Sequence, residues 1–127
     1  KKYWNGLVLI KSNILIVGRL NGTIAGASQI SFYPPNNEAQ KNISKIQSHF
    51  VAPWARGYGL AKAMIDKAIE ISKENNKKSI QLDIRETQSA GIQLFENKGF
   101  SKWGENPSYA FINGTRIKGY YYYKDLQ

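Results

Sequence analysis

From residue 14 onward, apolar positions recur first with the period of a strand and later with that of a helix. Residues 14–20 form a β-branched, apolar run closed by Asn21-Gly22, the strongest short-range hairpin signal. Residues 23–33 are then the partner strand, stopped by Pro34-Pro35 and a polar loop over 36–42. Residues 45–51 alternate, with Ile46, Ser48 and Phe50 on one face and Gln47, His49 and Val51 on the other. Pro53 ends that strand and the period changes. Leu60, Met64, Ala68 and Ile71 recur at helical spacing, widened by Ala61 and Ile65, which predicts a helix ended by Asn75-Asn76. Residues 79–85 read as another strand. Thr87 can cap a second helix running to Lys98, with Gly99 just beyond its C-terminus. Residues 103–112 and 115–123 form a last strand pair around Asn113-Gly114, and the tyrosines at 120–123 fit a strand with two faces. Ahead of the hairpin, Tyr3, Leu7 and Ile10 have the spacing of the last turns of a helix. The order β-β-β-α-β-α-β-β predicts one α/β domain over 1–127: a mixed sheet with helices on it.

The transition after residue 50 carries the chemistry. In Phe50-Val51-Ala52-Pro53-Trp54-Ala55-Arg56-Gly57-Tyr58-Gly59-Leu60-Ala61 a strand ends, glycines open a tight loop and an amphipathic helix begins. The first turn of a helix has N–H groups with no intrahelical partner, and the helix dipole adds partial positive charge there. Glycines let an anion approach the backbone, and Arg56 is always charged, so the segment fits a phosphate or pyrophosphate cradle. A plain β–α connector that binds nothing would use the same glycines. Spacing excludes two other phosphate motifs. The dinucleotide fingerprint needs glycine where Lys62 stands, and no segment fits the nucleoside-triphosphate loop.

Composition narrows the classes further. The chain has 127 residues, 42% of them hydrophobic, enough for one core and no second one. It has no cysteine, which excludes a disulfide framework, a thiol nucleophile and a Cys-ligated metal. His49 is the single histidine, so a histidine-built zinc site is not expected either, nor any other metal site. No apolar run reaches the length of a membrane span, and the expected compartment is the cytoplasm, without a membrane partner. The net charge of +9 is scattered, with no block of five like charges. Lys, Asn and Ile are all frequent, as A/T-rich codon usage alone would make them. Such a surface suits a cofactor carrying several phosphates, and lacks the aromatic–basic interleaving of a nucleic-acid-binding domain, so no nucleic-acid partner is expected.

Arg56-x-x-Gly59-x-Ala61, preceded by Val51-Ala52-Pro53, resembles the signature [Q/R]-x-x-G-x-[G/A] of the GNAT superfamily of acyl-CoA-dependent N-acyltransferases. Leu82-Asp83-Ile84-Arg85, Gln88, the stretch 90–95 and Lys98-Gly99-Phe100 resemble that family's second signature, in the right order and separation. The tail, Gly104 to Ala110 with Tyr121 to Lys124 and Leu126, is similar to the branch containing the tabtoxin-resistance acetyltransferase. The resemblance implies a mostly antiparallel sheet in which the strands at 45–51 and 79–85 run parallel and splay apart. It implies acetyl-CoA as co-substrate. The main chain of His49, Phe50 and Val51 would hold the pantetheine and acetyl carbonyl, and the N–H groups of Arg56, Gly57, Tyr58, Gly59, Leu60 and Ala61 the pyrophosphate. Gln88, Phe95 and Lys98 complete the expected cofactor contacts. An amine acceptor, a small molecule or a peptide N-terminus, would attack the thioester directly.

Two positions depart from the family pattern. Where many members carry a glutamate general base, this chain has Lys45, and where many carry a tyrosine that protonates the departing thiolate, it has Phe95. The remaining acid/base candidates are Asp83, Tyr109, His49 and Glu86, with Asp83 and Tyr109 as the catalytic pair. Asp83 could equally be a solvated strand carboxylate, and His49 a hydrogen-bonded spacer. The losses keep open an acyl-CoA-binding module that does not transfer. Trp4, Trp54 and Trp103 read as packing residues, Trp54 near the cofactor mouth. Family domains begin with a strand and one or two helices ahead of the hairpin, so the resemblance also implies that most of those elements are missing. The first hairpin strand would then be an uncovered edge, open to pairing in a homodimer.

Overall fold

A computed structural model describes residues 13–34 and 36–126. The helix expected before the hairpin, and Trp4 with it, lie outside the described residues. The elements in chain order are β1 (Asn13–Leu20), β2 (Thr23–Phe32), β3 (Ile43–Val51), a 3-10 turn (Pro53–Ala55), α1 (Leu60–Glu74), β4 (Ser79–Arg85), α2 (Ser89–Asn97), β5 (Ser101–Ile112) and β6 (Thr115–Asp125). Six strands form one sheet in the order β1-β2-β3-β4-β6-β5. Both hairpins turn on Asn-Gly pairs with positive φ, 52° and 80° at Asn21-Gly22 and 51° and 77° at Asn113-Gly114, the geometry that matches strand twist. All pairings are antiparallel except β3 with β4. That parallel pair holds for only three residue pairs, Ile43 with Ser79, Ser44 with Ile80 and Lys45 with Gln81, and then opens.

Both helices cover one face of the sheet. Ile80, Leu82 and Ile84 of β4 alternate inward and meet Ile65 and Ala68 of α1, Phe95 of α2, Phe100, Ile30, Ile46 and Tyr122 in one core. Ile65, Ile80 and Ile30 are fully buried, each stabilising the fold by about 1.5–3 kcal/mol relative to exposure. The α2 terminus is built as the sequence implies. Gly99 sits at φ 92°, Gly99 N–H bonds Glu96 O and Phe100 N–H bonds Phe95 O. Phe100 then packs edge-on against Phe95 at 5.3 Å, the apolar contact that accompanies this cap. The opposite face, bearing Lys45, Gln81, Asp83, Arg85, Tyr121 and Tyr123, has no helix over it among the described residues.

Some expectations are corrected. Strand β3 does not alternate strictly. Gln29 pairs with Ser48 and Ile30 with Ile46, so Gln47 is an extra residue in a bulge. Ile46 and Ser48 therefore lie on opposite faces, and His49 and Val51 join Ile46 on the helix side. The second helix begins at Ser89, with Gln88 rather than Thr87 at its N-cap and no side-chain cap bond. Trp54 and Trp103 are 57% and 62% exposed rather than packed, because one stands on the loop at the helix mouth and the other on the uncovered face. The apolar pattern also missed Ser72, which is buried in α1 and shares a 2.7 Å hydrogen bond with buried Ser44 of β3.

That bond ties α1 to the paired end of β3. Ser72→Ala leaves the Ser44 hydroxyl buried without a partner and is expected to cost about 1–3 kcal/mol in urea denaturation. The double variant Ser44→Ala/Ser72→Ala should recover part of that loss, and a fully additive double would show that the two hydroxyls are not coupled.

Candidate active site

Beyond Lys45 and Gln81 no backbone pair joins β3 to β4 among the described residues, and the gap is a cavity of about 230 Å³. Its wall combines residues from both faces of the sheet. Ile46, His49, Leu82, Ile84, Gly91 and Phe95 come from the helix side, and Asp83, Arg85 and Tyr109 from the open side. The opening thus passes through the sheet. Gly91 brings α2 close to β4 at this wall, where a Cβ would stand 3.1 Å from Ile84 Cδ1. A second hollow of about 210 Å³ on the open side, lined by Ser31, Tyr33, Lys45 and Gln47 among others, adjoins the first at Gln47.

The glycine loop stands at the open end of this gap, where β3 runs out. Gly57 and Gly59 adopt φ 90° and 74°, values an L side chain resists, and added Cβ atoms there would meet nothing within 4 Å. The glycines are needed for conformation, since there is room for a side chain at both positions. Arg56 N–H turns back to Pro53 O at 3.4 Å, while among the described residues no N–H from Gly57 to Lys62 has a backbone acceptor. The helix behind these donors is seated by a second glycine pair. Gly18 and Gly26 face each other across β1 and β2, and a Cβ at Gly26 would come within 3.3 Å of Leu60 Cδ2 and 2.6 Å of Phe50 O.

The open side carries a polar cluster. Tyr109 Oη donates to Asp83 Oδ1 at 2.8 Å, and Lys45 Nζ stands 3.6 Å from Asp83 Oδ2. Tyr109 reaches Asp83 from two strands away. Strand β5 bulges between Asn106 and Ala110, and the Tyr109 ring lies over Gly119 of β6, where any Cβ would overlap it. Burial and the Asp83 carboxylate push the Tyr109 hydroxyl up to about 12, so it stays protonated at neutral pH. Burial lowers the His49 imidazole from its ordinary 6.5, and its ring meets Phe95 edge-on at 5.6 Å.

Of the residues singled out in the sequence, His49, Asp83, Gln88, Phe95 and Tyr109 line the cavity. Arg56, Gly57, Tyr58, Gly59, Leu60 and Ala61 form the loop at its mouth. Phe50, 57% exposed, and Val51, packed against the Ala25, Ala52 and Ala55 cluster, do not line it. Lys98 is turned to Asp66 at 2.6 Å and does not line it. Glu86 accepts from Lys118 N–H at 2.7 Å and is likewise away from it. Arg85 and Gly91 were not assigned a role from sequence. Arg85 lay inside the second signature, and an isolated glycine within a helix pattern was the available signal for Gly91.

With this geometry in place, comparison with known proteins becomes decisive. The profile of the acetyltransferase (GNAT) family matches residues 2–100. The chain belongs to the GNAT family. An uncharacterized N-acetyltransferase of Azospirillum brasilense is 41% identical over 88 residues, 69% of this chain and 52% of that protein. The chain thus spans about half the length of that GNAT relative. Among solved structures, an N-acetyltransferase from Staphylococcus aureus Mu50 superposes with a TM-score of 0.87 at 20% identity, over 99% of this chain and 75% of the other. A GNAT superfamily phosphinothricin acetyltransferase from Sinorhizobium meliloti, solved in complex with AcCoA, superposes at 0.84 with 18% identity, over 99% and 70%. At these identities the superpositions establish the GNAT fold. Among the described residues no helix is long and apolar enough to cross a membrane.

The tyrosines give a pH test. Tyr109, and Tyr122 bonded to Glu96 at 2.7 Å, are both raised to about 12 from 10.0, burial being the first cause. A raised folded value favours the protonated form in the native state. Their stabilisation is therefore complete below pH 10 and is lost as pH rises from about 10 to 12. Urea titrations across this window should show a steep alkaline loss, shallower in Tyr122→Phe. An equally steep loss in that variant would remove Tyr122 from the account.

Proposed function

We propose that this domain transfers an acetyl (acyl) group from acetyl-CoA to the primary amine of an acceptor by direct attack on the thioester. The observation that carries the reading is the opening of β3 from β4 after Lys45 and Gln81, with unpartnered N–H donors at its wide end. When bound, acetyl-CoA supplies an activated acyl carbonyl that an unprotonated amine attacks without a covalent enzyme intermediate. The residues present fit such a ligand. Among the described residues the N–H groups of Gly57, Tyr58, Gly59, Leu60 and Ala61 have no backbone acceptor at a helix N-terminus, with Arg56 exposed beside them. The freed edge of β3 at His49, Phe50 and Val51 offers main-chain groups to an extended amide chain, as an added strand would use them. Gln88 and Phe95 flank the gap on the α2 side, and Lys98 would contribute only by leaving Asp66. Family membership and the AcCoA-bound relative of the same fold support the reading.

The acceptor, a small-molecule amine or a peptide N-terminus, enters from the open side in this reading. Asp83 receives its ammonium, and Tyr109 orients the Asp83 carboxylate. A hydroxyl near 12 is a poor proton donor to a thiolate, whose conjugate thiol titrates near about 8.5. Tyr109 is therefore proposed as a positioning group of the catalytic pair. One observation favours the second reading, binding without transfer: Asp83 is shared between Lys45 and Tyr109, which weakens it as a base.

Calorimetry and a thioester-cleavage assay decide between them. Arg56→Ala should lower affinity for CoA by about 1–3 kcal/mol, the range of a charge-assisted hydrogen bond. Absence of CoA binding by the intact chain would sink both readings. Free thiol should appear with acetyl-CoA and one class in a pool of amino acids, amines, aminoglycosides and peptides. Tight binding with no release against any of them selects the second.

A further inference from the structure

The side chains of His49 and Arg85 have no task so far in the cavity, and of the two only His49 can exchange a proton near neutral pH. Among the described residues, the buried side-chain polar atoms lacking a hydrogen-bond partner are Ser28 Oγ and both ring nitrogens of His49. Buried polar atoms are paired in all but a few cases, so an imidazole without a protein partner in the wall of a cavity is left to bond water or whatever else occupies that cavity. The position is specific. His49 lies on β3 beyond its last pairing with β4 and faces Ser28 across the register with β2. Its ring meets the edge of Phe95, where the expected hydroxyl is absent. Burial lowers its pKa, so the ring is neutral at pH 7, with a lone pair on one nitrogen and a proton on the other.

The alternatives in the cavity serve poorly. Lys45 is a cation beside Asp83, Asp83 is shared, and Tyr109 is held protonated. We propose that His49 carries the proton from the acceptor nitrogen to the departing sulfur, acting first as base and then as acid in the transfer proposed above. As the C–N bond forms, the nitrogen loses basicity and its proton passes to the free ring nitrogen. As the C–S bond breaks, the electron pair leaves on sulfur and the imidazolium returns the proton there. The ring ends neutral, and no further reactant is consumed. Nitrogen and sulfur are bonded to the same carbon during the exchange, so one group beside that carbon can reach both. The other charged or titratable groups lining the space are Asp83 and Arg85 from β4 and Tyr109 from β5, with Lys45 behind Asp83. From α2 come only the uncharged Gln88, Gly91 and Phe95.

The inference rests on the acetyltransferase reading, and the measurements separate the two. With acetyl-CoA and an acceptor from the pooled assay, His49→Gln should lower kcat on the order of 10²–10⁴-fold. Its dissociation constant for acetyl-CoA should change by less than about threefold, within about 0.6 kcal/mol. The acidic limb of the wild-type kcat profile should lie below pH 6.5 and vanish in the variant. Ring ¹⁵N spectra of the wild-type protein give a readout without turnover or mutation. His49 should titrate below 6.5 and shift when acetyl-CoA is added. A variant that keeps both kcat and the acidic limb overturns the relay while leaving acetyl transfer intact. So does an imidazole that ignores acetyl-CoA. Failure of the intact protein to bind acetyl-CoA, or binding without turnover of any acceptor, overturns transfer and relay together.

Discussion

The molecule depends on a parallel strand pair that stops pairing too early. Three residues of β3 bond to β4, and then the strands part. Backbone groups in the gap lose partners that a continuous sheet would supply, a cost tolerated only where something else will use them. The bulge at Gln47 begins where the pairing ends, and bulges bend and twist the strand that carries them. Phe95 and His49 then fill the helix side of the opening, while Asp83 and Tyr109 hold the other. The Ser44–Ser72 bond clamps β3 to α1 just before the strands separate, so the separation starts from a rigid point.

Because the gap passes through the sheet, its two sides have different chemistry. The helix side is lined by the apolar Ile46, Leu82, Ile84 and Phe95, and there burial shifts His49 toward its neutral form. The open side is polar, with a carboxylate, a phenol and a lysine ammonium in one cluster. Strand β4 creates this contrast by plain alternation, Ile80, Leu82 and Ile84 inward against Gln81, Asp83 and Arg85 outward. In the proposed reaction, a donor ligand lying along the freed edge of β3 and an acceptor arriving from the open face would meet without crossing the core.

Close approaches by glycine set the positions around the gap. Gly18 and Gly26 let Leu60, the first residue of α1, settle on β1 and β2. Gly91 lets α2 approach Ile84, and Gly119 leaves room for Tyr109 to cross a strand. Each works through what lies opposite it in space, and none is marked by its immediate neighbours in the chain.

Much was legible in the residues themselves. The Asn-Gly hairpins, the helical stripe of α1, the Gly99 stop and the glycine loop before Leu60 are local chemistry, decided within a few residues of chain. The two signatures located the parallel pair and its expected splay, and the cavity collects His49, Asp83, Gln88 and Phe95 from their span together with Tyr109 from the tail. The extra residue at Gln47, the burial of Ser72 and the exposure of Trp54 and Trp103 were not legible. Bulges, partners and covering layers are set by which elements meet. Lys98 shows the same limit, since Asp66, 32 positions earlier, claims its charge through helix packing. The sequence by itself determined which elements form and where a glycine loop opens into the first turn of a helix. Only the tertiary structure decided which polar atoms end up paired, because hydrogen-bond partners brought together across a sheet leave no periodicity in the chain.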